Sequence, residues 1–324
     1  MTGLAAFVMR GRSQALLVAF AGAFSSLFCW VSAAVIALVT LRRGVGSGAW
    51  LLFWALLPAV ALAWVYGDSG PLSLLLGTAV LAATLRSTVS LSLAVLVSVP
   101  VGILMGLAAL TLGGDYLAQM AELFGQFLAS MEQRLSQGGE QVALQRPTVG
   151  QIAGLLGAGT ASMSVCCLLL ARYWQAALYN PGGFGREFRE LYYPAAMATA
   201  LVLAGLVLSS VGSGLQTWAM ICFVPLTFAG LALVHSWAAH RGRGGGWIAW
   251  FYIAWLLLDP VKLVVVFLAI ADSWINFRRR WAATGGADGT TLPGPREDRG
   301  DSDGSAGADD RDDTDDESDK QDFK

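Results

Sequence analysis

Charged residues make up only 14% of this 324-residue chain, against about 25% in an ordinary soluble domain. Water is not its main solvent. Histidine occurs twice and cysteine four times. Cys29, Cys166, Cys167 and Cys222 fall inside apolar runs with no Cys-x-x-Cys pair, so they read as small buried hydrophobes rather than metal or redox ligands. His235 and His240 stand five apart at the end of one run without nearby carboxylates, which suits an interface better than a metal. No Gly-x-Ser-x-Gly or His-Glu-x-x-His is present, and Gly182-Gly183-Phe184-Gly185 lacks both the Gly-Lys-Ser/Thr of a P-loop and the strand context of a dinucleotide fingerprint. The chain is expected to be no enzyme and to use no cofactor or metal.

Apolar residues make up 55% of the chain. They gather into eight blocks: Ala15 to Leu41, Trp50 to Tyr66, Pro71 to Leu85, Val89 to Leu112, Val149 to Ala171, Pro194 to Val211, Leu215 to Ala239 and Trp247 to Ile275. Crossing a ~30 Å hydrocarbon core takes about 20 residues, and Trp and Tyr crowd the block ends, where amphipathic rings settle at headgroup level. The pattern predicts an all-α, polytopic transmembrane bundle over residues 1–284.

The first and last blocks hold 27 and 29 residues, each either one tilted helix or a tight pair of short ones. Arginine arbitrates, because short loops rich in Lys and Arg stay cytoplasmic. If both blocks double back, 13 of the 16 basic residues before residue 285 fall on one side, with Arg134 and Arg146 opposite and Lys262 within the membrane. The expectation is a multi-pass protein of the bacterial inner membrane, with 8–10 membrane segments and both termini cytoplasmic.

Outside the membrane, Tyr116, Met120, Phe124, Phe127, Met131 and Leu135 recur at spacings of three and four, while Asp115, Gln119, Glu122, Gln126, Ser130 and Gln133 line the other side. Residues 115–136 therefore form an amphipathic external helix. Its polar face is acidic, so docking over the mouth of the bundle explains it better than attraction to anionic lipid. From Gly285 the chain carries 14 acidic and 5 basic residues and almost no large apolar ones. It is expected to be a disordered cytoplasmic tail, unable to bury enough surface to offset ordering entropy.

Three features are candidates for function. The cytoplasmic elbow at 172–191 continues the preceding span through Arg172, Tyr173 and Trp174, and breaks at Asn180-Pro181-Gly182-Gly183. It then forms a short interfacial helix in which Phe184, Phe188 and Leu191 face bilayer or bundle and Arg186 and Arg189 reach phosphates. It either only fixes topology or docks a partner; nucleic acid is not expected from one short elbow. Ala15, Ala19 and Ala23 place small residues on one helix face, suited to close packing. Asp259 and Lys262, at i and i+3 in the last block, either neutralise each other in the membrane or mark a hairpin turn near headgroups.

The ending Ala271-Asp272-Ser273-Trp274-Ile275-Asn276-Phe277-Arg278 resembles the C-terminal signature of the YybS-like family of bacterial membrane proteins. The Leu41 to Gly44 loop and the Tyr173 to Leu191 elbow fit the same family, over roughly residues 10 to 281. That family is distantly similar to the substrate-binding S components of energy-coupling-factor transporters. The resemblance implies a small-solute pocket near the external face and a first helix whose Ala-x-x-x-Ala face docks a coupling subunit, a spacing matched by Ala15, Ala19 and Ala23. Two functions are expected side by side. One is a non-catalytic bundle that binds a small solute and works with separate ATPase or other membrane subunits; the other is a scaffold recruiting partners through the elbow and tail.

Overall fold

A hydrocarbon solvent leaves backbone N–H and C=O groups no partner but each other, so a chain crosses it as helices or as a closed barrel, and apolar runs of about 20 residues suit helices. The computed structural model, which describes residues 2–136, 144–278 and 280–281, is all-α, with no strand among the described residues. The tail from Gly285 and part of the loop before Thr148 lie outside the described residues.

The first long block breaks. Following α1 (Thr2–Arg10), α2 (Arg12–Ala23) and α3 (Cys29–Arg43) form an antiparallel pair, stitched by the Ser32 hydroxyl donating to the Ala19 carbonyl at 2.7 Å. Then come α4 (Val45–Tyr66), α5 (Gly70–Thr88), α6 (Leu91–Leu96) and α7 (Ser98–Leu112). The Ser26 hydroxyl, in the α2–α3 turn, donates to Asp68 at 2.7 Å. Because Asp68 follows the far end of full-length α4, the short pair reaches the opposite end of the bundle.

Next, α8 (Gly114–Ser136) is the amphipathic segment, and α9 (Val149–Tyr179) is the longest helix, opened by a Thr148–Gln151 capping box. The chain continues through α10 (Gly183–Arg189), α11 (Ala195–Val211), α12 (Gln216–His240), α13 (Gly245–Leu257) and α14 (Asp259–Ile275). The last block also breaks, with a bend of 112° between α13 and α14. Among the described residues, five helices are long and apolar enough to cross a membrane: α4, α5, the α6–α7 pair, α9 and α12. The α13–α14 pair makes a sixth if it is one broken span. The remaining apolar segments, α2, α3 and α11, are short.

Helix α12 is the hub, packing against α7, α9, α11 and α14 with 72% of its apolar window buried. Helix α13 has no fully buried residue, though Phe251 and Trp255 pack against the core, and it is apolar all round. Between α7 and α9 the backbones nearly touch: a methyl on Gly157 would lie 2.6 Å from the Gly102 carbonyl oxygen. Only glycine permits that approach.

Ala15, Ala19 and Ala23 are buried, and α2 packs on α3 and α4 of its own chain. Of α8, only the first two turns dock, through Leu117, Tyr116 and Met120. Phe124, Phe127, Met131 and Leu135 remain exposed. The helix packs on α7 and α9.

Candidate functional site

Arg42, Arg43, Arg86, Arg172, Arg189 and Arg278 gather at one end of the bundle. Arg86 Nη1 donates to the Leu41 carbonyl at 2.6 Å and Arg43 Nη2 to the Met9 carbonyl at 2.7 Å, each satisfying an orphan carbonyl at a helix end. Arg42 lies over the Tyr179 ring, 4.1 Å from its centroid. That contact joins the α3 end to the elbow.

The elbow is fixed by local backbone chemistry. Asn180 ends α9, and Gly182 at φ 82 takes the left-handed conformation that starts α10. Arg172 pairs with Glu187 at 2.6 Å, clamping α10 to α9. Phe184 stacks on Phe188 with centroids 5.9 Å apart, Tyr173 meets Phe184 edge-on, and Phe188 meets His235 edge-on. Phe188 and Leu191 are buried as the pattern predicted. Trp174, read from sequence as part of a docking surface, is 1% exposed and belongs to the core. Asn180, Pro181, Gly182 and Arg186 are exposed, and so is Tyr173.

The C-terminal ending closes on this elbow. Asn276 takes φ 57, a left-handed conformation that asparagine tolerates, and the chain turns back on Asp272. The Phe277 N–H donates to Asp272 Oδ1 at 2.9 Å, and Arg278 Nε lies 3.2 Å from Asp272 Oδ2. Arg278 Nη1 then donates to the Arg189 carbonyl at 2.5 Å. Burial pulls Arg278 below the ordinary arginine range, opposed by the charge of Asp272 and then of Tyr192, yet arginine stays protonated through any such shift. The Tyr192 hydroxyl donates to the Ser273 carbonyl at 3.1 Å, and the buried Tyr193 hydroxyl to the Ser92 carbonyl at 2.8 Å. Two candidate regions 89 residues apart are thus one latch. Trp274, on the outward side of α14, is 67% exposed and takes no part.

An open cavity of about 450 Å³ lies against the latch, lined by Arg186, Arg189, Glu190, Tyr192, Ser236, Asn276 and Arg278. Sequence reasoning missed Glu190, Tyr192 and Ser236, whose only signal was proximity to the arginines and to the end of an apolar block. Asp259 and Lys262 pair at 2.7 Å on the α14 side of the bend, with Asp259 89% exposed. They stand apart from the latch.

The chain is an integral, multi-pass membrane protein. No family model, curated protein or solved structure matches it. Its chemistry must be read from its own side chains. The latch holds fixed guanidinium groups and hydroxyls beside an open cavity, an arrangement suited to binding an anion or an acidic surface.

Proposed function

We propose that this protein is a non-catalytic interaction protein of the bacterial inner membrane whose working surface is the elbow, held at the cytoplasmic face. One observation carries the reading: the elbow is clamped by Arg172–Glu187 and by Arg278 on the Arg189 carbonyl, while Tyr173, Asn180, Pro181 and Arg186 stay exposed. A loop that only set topology would need the charges and not the clamps. Preorganised exposed groups lower the entropy cost of binding a partner.

The other reading, a YybS-like, S-component-like bundle that captures a small solute for separate ATPase subunits, has less support. Its coupling face would be Ala15, Ala19 and Ala23, and α3 and α4 already cover α2. The test is crosslinking from a photoreactive phenylalanine analogue at Tyr173, an aromatic exchange that keeps the contact with Phe184. A single defined polypeptide crosslinked in native membranes, and held in native mass spectrometry, is the expected result. A stoichiometric small-molecule adduct with no polypeptide partner overturns the reading in favour of solute capture.

A further inference from the structure

The cavity beside the latch is unequal in charge. Arg186, Arg189 and Arg278 line it together with Tyr192, Ser236 and Asn276, and among the described residues Glu190 is its one lining carboxylate. The neighbouring acids are occupied elsewhere, Glu187 by Arg172 and Asp272 by Arg278 and the Phe277 N–H. Arg278 offsets Asp272, so among the described residues Arg186 and Arg189 share the cavity lining with one carboxylate, Glu190. A guanidinium carries five N–H donors. Arg278 directs Nε at Asp272, Nη1 at the Arg189 carbonyl and Nη2 at the Ala229 carbonyl, 3.4 Å away, and two donors remain.

We propose that this cavity binds a phosphate group. The proposal rests on the elbow being a working surface. A carboxylate presents two oxygens in a plane, whereas a tetrahedral phosphate presents up to four in different directions. The guanidinium forks of Arg186 and Arg189, the two remaining donors of Arg278 and the Ser236 hydroxyl, around an open cavity, match the second. The clamps fix the backbone from which the Arg186 and Arg189 forks project before the ligand arrives. Phosphate of this kind reaches a membrane interface either on an anionic lipid headgroup or free in solution. Glu190 at the rim opposes either one, so its removal strengthens binding.

The test uses the full chain in phosphatidylcholine nanodiscs, whose choline offsets the lipid's own phosphate. In one arm phosphatidylglycerol is added to the bilayer and retained lipid is counted by native mass spectrometry. In the other, radiolabelled inorganic phosphate is added and bound label is measured by equilibrium dialysis. Binding is expected in at least one arm, the arm identifying the source, and Arg186→Gln with Arg189→Gln should weaken it by roughly tenfold per arginine. Both clamping ion pairs remain in that variant. Glu190→Gln, a change at an exposed position, is expected to tighten binding and serves if the double variant folds poorly. No binding in either arm, or equal binding by wild type and the variants, overturns the proposal. Failure of the Tyr173 crosslink with phosphate binding intact would remove the partner reading and leave this site standing.

Discussion

At the end of the bundle that carries the latch, side chains reach across helices: Arg278 to Asp272 and to the Arg189 carbonyl, Arg172 to Glu187, Arg86 to the Leu41 carbonyl. At the opposite end several links run without arginine. Trp218 Nε1 donates to the Gly150 carbonyl at 2.9 Å, Gln151 Nε2 to the Ser213 carbonyl at 2.8 Å, and Asp68 takes the Ser26 hydroxyl and the Gly70 N–H. Charged links cost more to break, because the group left behind is desolvated and unpaired. The comparison implies that the arginine-rich end is the rigid one, and that damage there is severe while damage opposite is slight.

The sharpest way to break that contrast is Asp272→Ala, which strands Arg278 where only 16% of its side chain is exposed. A loss of about 3–5 kcal/mol is expected, read as a lower unfolding midpoint in detergent. The double change with Arg278→Met should recover part of it, since a buried pair replaced by apolar groups is often near neutral. Next in size is Asn276→Val. A β-branched residue at φ 57 should cost about 1–2 kcal/mol, whereas Asn276→Gly should keep both the fold and the Phe277 N–H bond to Asp272. At the opposite end, Trp218→Phe removes one hydrogen bond to the Gly150 carbonyl and should cost about 1 kcal/mol. Smallest of all, Phe127→Ser on the undocked part of α8 should change stability by less than about 0.5 kcal/mol, since Phe127 is 58% exposed. A larger loss there would mean that α8 packs against something the bundle does not supply.

Much of the latch end was legible in the sequence, but not its connections. The break at Asn180-Pro181-Gly182 and the burial of Phe188 and Leu191 follow from turn chemistry and helical spacing. The bend before Asp259-Pro260 follows from a charge and a proline together in an apolar run. The α2–α3 break has no such mark, since Phe24 to Phe28 is as apolar as its flanks, and only the distribution of arginine argued for it. Asp272 and Arg278 were visible as a signature without a role, because their partner is a backbone carbonyl 89 residues away. Trp174 was misplaced because interfacial aromatics and core aromatics both sit near block ends. Hydropathy does not tell the inward face from the outward one.

Everything proposed for the elbow depends on which side of the membrane the latch faces, and the proposal takes that side as cytoplasmic because doubling back of both long blocks would gather 13 basic residues there against two opposite. Paired reporter fusions after Gly285 test this most directly, one to a phosphatase active only outside the cytoplasm and one to a fluorescent protein that matures only inside it. The account predicts a fluorescent fusion and an inactive phosphatase. An active phosphatase and a dark fluorescent protein would place the arginine-rich end outside and contradict it.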